Sequence, residues 1–249
     1  MSSDEKQIAF FLDFENIALG VKENKKLNFD IDLMLQRLLE KGKILVKRAY
    51  GDWSRYKTYR QDLHSAAIEL IEIPQRSLSG KNSADIRLVV DAMDLCYSKE
   101  HVDTFAIASG DSDFSPLVSK LRENAKYVIG LGVKNSTSDL LVENCDEFIF
   151  YEDLIPKPRA PLKQTNIPPQ KAEAFEVVIG ATRALEREGK TTMWASMVKE
   201  TIKRKKPGWA ESHYGYSSFS KLLEEAEKLK LLQLRKDERS GSYIISQLK

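Results

Sequence analysis

Two apolar runs in this chain end in aspartate. Ile8-Ala9-Phe10-Phe11-Leu12 runs into Asp13, with Asn16 three residues further on, and Phe105-Ala106-Ile107-Ala108 runs into Ser109-Gly110-Asp111-Ser112-Asp113. A further carboxylate, Asp85, stands at the opening of a helical pattern that starts at Ser83. Carboxylates gathered in one place repel, and burying them unpaired costs on the order of several kcal/mol each. A hard divalent cation resolves that conflict. Mg²⁺ or Mn²⁺ takes carboxylate, amide-carbonyl and water oxygens, and Mg²⁺ keeps several waters that can serve as nucleophiles. Such a cation polarises a phosphodiester and lowers the pKa of the attacking water. Gly110 leaves space for close backbone approach, and Ser109 offers a hydroxyl to the substrate or to the metal shell. Singly these signals are weak, since an aspartate after a strand often caps a helix or makes a turn. Their weight lies in the combination.

The combination works only if the two runs are strands of one parallel sheet, whose ends point to the same edge. A continuous apolar run that ends abruptly reads as a fully buried parallel strand. Further strands are expected over about residues 43–50, 68–73, 127–131 and 147–150, and helices over about 31–41, 54–67, 83–97, 116–124 and 139–144. In the first helix Ile31, Leu35, Leu38 and Leu39 share a face and Gly42 stops it; in the 83–97 helix Ile86, Val89, Val90 and Met93 are expected to face inward. Repeated β–α alternation implies an α/β fold, a parallel sheet with helices on both faces. Function collects where the carboxyl ends of such strands open onto loops, so Asp13, Asp111 and Asp113 converge there although nearly a hundred residues separate them.

Charge divides the chain. Residues 1–155 hold 20 Lys/Arg and 26 Asp/Glu, a balance of −6, whereas residues 156–249 hold 19 and 11, a balance of +8. An acidic site in one half and a polyanion-binding surface in the other follow from that asymmetry. Five of the eight prolines fall between Pro156 and Pro169, which makes 156–171 an extended, basic linker between domains 1–155 and 172–249. The second domain shows three helical stripes, opened by Phe175, Trp194 and Phe219, then two short strand-like runs with a turn at Ser240-Gly241, a winged-helix-like pattern. It combines Lys203, Arg204 and Lys205 with Trp209, Tyr214 and Tyr216, and adds Arg239 at the hairpin. Cations neutralise phosphates and aromatics stack on unpaired bases, a pairing expected for RNA.

Other features exclude classes. No apolar run is long enough to span a membrane, and the start of the chain leads straight into a strand, so neither an anchor nor a signal peptide is expected. Cys96 and Cys145 lack metal-ligand spacing and read as buried thiols in a reducing, cytoplasmic setting, while His64, His101 and His213 are scattered without ligand spacing. Gly130-Leu131-Gly132 lacks the third glycine of a dinucleotide fingerprint.

Asp13-Phe14-Glu15-Asn16, then Lys81-Asn82-Ser83-Ala84-Asp85 with Asp91 six residues on, then Ser109-Gly110-Asp111-Ser112-Asp113-Phe114, resemble in order the three signatures of NYN domains, relatives of PIN nucleases, over about residues 6–155. The resemblance implies a Rossmann-like (PIN-like) fold, Mg²⁺ or Mn²⁺ dependence and single-stranded RNA as substrate. It carries the metal-binding and catalytic roles to Asp13, Asp85, Asp111 and Asp113 and a polar partner role to Asn16; Asp91 matches a family acidic position that spacing along the helix also suits to a structural role. Asn82-Ser83-Ala84 stands where relatives often have a glycine. Residues 173–247 resemble an OST-HTH/LOTUS domain through Lys199-Glu200-Thr201-Ile202-Lys203-Arg204, His213-Tyr214-Gly215-Tyr216-Ser217-Ser218-Phe219 and Arg239-Ser240-Gly241-Ser242-Tyr243. That implies RNA binding with a preference for guanine-rich or quadruplex forms, or an RNA helicase as partner. The expectation is a metal-dependent ribonuclease, endonucleolytic, whose second domain recruits RNA. The rival is a non-catalytic RNA-binding regulator with a structural or vestigial metal pocket.

Overall fold

The computed structural model describes residues 5–24, 27–73, 83–156 and 167–248. Lys81 and Asn82, and residues 157–166 of the expected linker, lie outside them. The chain divides into two compact units, the main change falling between Pro156 and Lys157.

In the first unit, strands β1 (Lys6–Asp13), β2 (Gly42–Gly51), β3 (Glu69–Glu72), β4 (Thr104–Ala108), β5 (Tyr127–Gly132) and β6 (Glu147–Phe150) alternate with helices α1 (Phe14–Glu23), α2 (Ile31–Lys41), α3 (Arg60–Ser65), α4 (Ser83–Ser98), α5 (Ser115–Glu123) and α6 (Asp139–Asn144). The strands form one sheet in the order β3-β2-β1-β4-β5-β6. Every neighbouring pair is parallel. The α/β reading of the sequence therefore holds. The chain winds outward from β1 to β3 on one side, then crosses to β4 and winds outward on the other. The switch between β1 and β4 opens a crevice at their carboxyl ends.

Alternation along β1 explains why the sheet is covered on both faces. Ile8, Phe10 and Leu12 join a core with residues of α1, α2 and α3, including Phe14, Ile17, Met34, Leu38 and Leu63. Ala9 and Phe11 join the opposite core with Leu88, Ala92, Leu117, Leu121 and Leu141 of α4, α5 and α6. The Phe11 ring stacks between Tyr50 and Phe105 at centroid distances of 6.4 and 6.1 Å. Each such fully buried large side chain contributes roughly 1.5–3 kcal/mol, so the strand that carries Asp13 is held from both sides.

Two expectations need correction. The helix expected over 54–67 is instead a 3₁₀ turn, Lys57–Tyr59, followed by the short α3. Tyr56 and Tyr59, three apart, both pack on Phe14 at 5.1 Å, and the three-residue period of a 3₁₀ turn aligns them for it. In α4, Ile86 and Val90 are exposed, at 62% and 55%, and the buried residues are Leu88, Ala92, Leu95 and Cys96. The inward stripe includes Asp91, whose carboxylate accepts the Tyr50 hydroxyl at 2.9 Å. Of the expected inward residues only Val89 and Met93 pack against the core.

The second unit contains α7 (Pro169–Arg187), a two-residue strand β7 (Met193–Trp194), α8 (Ala195–Lys205), α9 (Phe219–Lys228) and the strands β8 (Leu232–Lys236) and β9 (Tyr243–Leu248). Three helices and a hairpin match the expected pattern, and β7 adds an antiparallel partner to β9. Helix α7 starts inside the expected linker, because Pro169 supplies the fixed φ of a first helical residue rather than ending an extended segment. The core gathers Phe175, Val178, Val198, Ile202, Phe219 and Leu222. No helix among the described residues is long and apolar enough to cross a membrane. Cys96 is buried and Cys145 half-buried, both as free thiols, and burial pushes the Cys145 thiol up to about 12.

Candidate active site

Strands β1 and β4 end level with each other: Leu12 pairs with Ala108, so Asp13 and Ser109 leave the sheet side by side at the switch. A closed set of hydrogen bonds then ties the two strand ends together. Asp13 caps α1, its Oδ1 accepting the Asn16 backbone N–H at 3.4 Å. Its Oδ2 accepts the Ser109 hydroxyl at 2.9 Å, and the Ser109 Oγ accepts the Asp111 backbone N–H at 3.2 Å. Asp111 caps the next 3₁₀ turn, Ser112–Phe114, through the Asp113 N–H at 3.0 Å. The Asn16 side-chain oxygen reaches across to accept the Gly110 N–H at 2.8 Å. Both aspartates thus cap helical turns at the carboxyl ends of adjacent strands.

Electrostatics draw Asp85 into the same place. Asp13 is only 6% exposed. Burial raises its pKa from 3.8 to about 7; the Ser109 hydroxyl opposes that rise, and the Asp85 and Asp111 carboxylates add to it. Asp85, in the first turn of α4, is raised to about 6 by burial and then by Asp111, Asp113 and Glu15. Influences of this kind put the Asp13, Asp85 and Asp111 carboxylates within electrostatic reach of one another. Among the described residues no cationic side chain figures in the leading influences on Asp13 or Asp85.

That balance bears directly on a cation. Among the described residues no three His, Cys, Asp or Glu side chains stand close enough to hold an ion by themselves. Mg²⁺ does not require such a cage: it binds typically through one or two carboxylates, its own waters and substrate phosphates. An all-oxygen set with a buried, charge-starved carboxylate at its centre fits a hard divalent ion in both donor type and charge.

The structure refines several expected roles. Ser109 is fully buried and donates its hydroxyl to Asp13, an arrangement that positions that carboxylate. The close approach at Gly110 comes from the chain itself: a Cβ there would lie 2.3 Å from the Ser136 carbonyl oxygen. Asp91 stands apart from the cluster, taken up by the Tyr50 hydroxyl, by Arg87 at 3.0 Å and by Arg48 at 3.9 Å. Asp113 is exposed. Two acidic residues were passed over. Glu15 faces Asp85 and accepts the Asp52 backbone N–H at 3.0 Å; Asp52 is itself buried just beyond β2. Applying the aspartate-after-a-strand rule to β2 would have found Asp52.

In the second unit Lys203 and Arg239 are exposed, and Arg204, Lys205 and Tyr214 are half-buried. Tyr214 donates its hydroxyl to Glu173 at 3.1 Å. Tyr216 does not present its ring for stacking: it is 6% exposed and packs against Phe175, and Trp209 is buried beside Phe219. Aromatics spaced among basic residues had suggested a stacking platform; this small domain uses most of them as core.

A family model for the NYN domain matches residues 7–152, the parallel-sheet unit. An uncharacterized protein of Methanocaldococcus jannaschii is 30% identical over 150 residues, covering 59% of this chain and 55% of that protein. The chain therefore spans about half the length of that relative. The crystal structure of a protein of unknown function from Vibrio parahaemolyticus aligns at 26% identity with a TM-score of 0.55, over 62% of this chain and 99% of that one.

Proposed function

This chain belongs to the NYN family, and from that premise we propose that it is a metal-dependent ribonuclease that cuts single-stranded RNA endonucleolytically. NYN domains are PIN-like and typically act as ribonucleases. The observation that supports the reading most is the mutual influence of the Asp13, Asp85 and Asp111 carboxylates at the switch between β1 and β4, with no cationic side chain among the described residues in the leading influences on Asp13 or Asp85. Asp13 and Asp111, fixed as caps, and Asp85 would hold Mg²⁺ or Mn²⁺, with Asp113 at the exposed rim. The bound ion would supply an activated water and a Lewis acid for the phosphodiester.

The protein's own part is orientation. Ser109 and the Asn16 N–H hold the two Asp13 oxygens in place, and the Asn16 side chain fixes the Gly110 peptide so that Asp111 follows at a set angle. Glu15 and Asp52 keep a second acidic pair beside the cluster. The second unit would recruit RNA through Lys203, Arg204, Lys205, Arg239 and Tyr214. Its likeness to LOTUS domains is the ground for a guanine-rich preference and for an RNA helicase as partner.

The test is cleavage of labelled single-stranded RNA with Mn²⁺ or Mg²⁺. Asp111→Asn is expected to remove cleavage while keeping the fold and RNA affinity, and EDTA is expected to do the same to the unaltered chain. Cleavage persisting in both would refute the metal mechanism. Tight RNA binding without cleavage under any condition would favour the non-catalytic regulator.

A further inference from the structure

The acidic unit must bring a polyanion to carboxylates at the ends of β1 and β4, and several of its exposed cations are already engaged by acidic side chains. Arg87 is paired with Asp91, Lys120 with Glu123, Arg122 with Asp146 and Lys134 with Asp153. The crossover from β2 to β3 is different. It leaves the carboxyl edge of the sheet at Gly51, and the Trp53 indole N–H pins it by donating to the Ile71 carbonyl at 3.0 Å. Arg55 lies 3.9 Å from Glu15, and the Tyr56 ring packs on Phe14, the residue after Asp13. The segment therefore begins at the rim of the crevice.

From there the exposed residues Lys57, Arg60, Gln61, His64 and Ser65 line one open depression. Spacings of three and four place Lys57, Arg60 and His64 on a single helical face, with about 5–6 Å between successive positions. The exposed Asp62 falls roughly on the opposite side of the helix from Arg60 and His64. No carboxylate among the described residues is paired with Lys57 or Arg60. Gln61 and Ser65 add neutral hydrogen-bonding groups that suit phosphate and sugar oxygens.

We propose that the Lys57–His64 face is a binding site for the phosphate backbone of single-stranded nucleic acid, holding the strand on one side of the bond that the carboxylate crevice cuts. This rests on the ribonuclease reading for its substrate, but not for its existence. The balance of −6 over residues 1–155 is a sum that conceals a local cationic track. One side only is favoured, because the track leaves the crevice over β2 and β3.

The test uses the full chain carrying Lys57→Ala and Arg60→Ala together, with Lys57→Arg and Arg60→Lys as a charge-keeping control. Both positions are exposed, so thermal unfolding should not move. Each lost phosphate contact lowers the slope of log affinity against log salt by about 0.7 for a single strand, so the double variant should be shallower by about 1.4. Its KM for RNA should rise with kcat unchanged. Between 50 and 200 mM salt its affinity should fall about sevenfold less than that of the unaltered chain. Extending the RNA on one side of the cut should lower KM for the unaltered chain and not for the double variant; extension on the other side should affect both alike. The control should restore slope and KM. Unchanged slope and KM in a chain that cleaves RNA would overturn the track and leave the ribonuclease reading standing. A reduced slope in a chain that cleaves nothing would uphold the track and remove the ribonuclease. An unchanged RNA slope with loss of an acidic protein's binding would assign the face to a protein and overturn the proposal.

Discussion

Asp13→Asn should make this protein more stable at neutral and alkaline pH while destroying its chemistry. In the native state the Asp13 carboxyl is raised from 3.8 to about 7, chiefly by burial. Between those values the folded chain therefore holds a proton that the unfolded chain has released, and stability falls as pH rises. The contribution is complete below about pH 4 and is lost as pH passes through about 7. A shift of about 3 units at 1.36 kcal/mol each gives about 4 kcal/mol, an upper figure for a group whose surroundings can relax. Asparagine removes the ionisation yet remains a good helix cap; its oxygen can accept the Asn16 N–H and its amide can donate to the Ser109 Oγ. The assay is urea unfolding in EDTA from pH 4.5 to 8.5. The variant should gain little at the acid end and about 2–4 kcal/mol at the alkaline end, as a raised midpoint with unchanged slope. Adding Mn²⁺ should then favour the unaltered chain: an ion at a hundred times its Kd adds about 2.7 kcal/mol to the form that binds it. A stability difference independent of pH, or a variant less stable at pH 8, would refute the account of Asp13 as a buried charge awaiting a cation.

Three further outcomes follow from the same geometry. Gly110→Ala should destabilise by about 1–3 kcal/mol and cut cleavage sharply, since the added Cβ meets the Ser136 carbonyl; unfolding curves and single-turnover rates check it. Asn16→Ala leaves the Gly110 N–H without its acceptor and should cost about 1–3 kcal/mol, with a larger loss in kcat than in RNA affinity; an effect on KM alone would assign Asn16 to substrate binding instead. Removing residues 160–249 should weaken RNA binding and flatten its salt dependence much more than it slows cleavage at saturating RNA, because the tethered module raises local concentration rather than doing the chemistry. Equal affinity and slope for the shortened chain would show that the second unit serves a protein partner.

The strand ends were readable because burial on both faces leaves an unbroken apolar run, and the residue that breaks it must lie at the sheet's edge. Asp13 and Asp111 were found in this way, and parallel alternation alone sent both to one edge. Helix α4 was harder. Its sequence offers two apolar stripes, one through Ile86 and Val90 and one through Leu88, Ala92 and Leu95, and local periodicity gives no ground for choosing. The choice is made by long-range partners: the core around Ala9, Phe11 and Phe105 takes the second stripe, and Tyr50, 41 residues away, donates to the Asp91 carboxylate. The same limit explains Tyr216 and Trp209, whose ring chemistry suits a base or a core equally well. In a unit of this size aromatic surface goes first to building the core, and only Tyr214 among the three keeps a half-exposed ring. Sequence therefore identifies residues whose position is set by their own element, and it fails where a side chain's orientation is decided by another element. For the crevice this means that the carboxylates on strand ends rest on firm local grounds. The contribution of Asp85 depends on the packing of α4: Tyr50→Phe removes one of three partners of Asp91 and should lower the cleavage rate at saturating RNA while every carboxylate of the site is kept, and an unchanged rate would show that Arg48, Arg87 and the apolar stripe hold the helix without it.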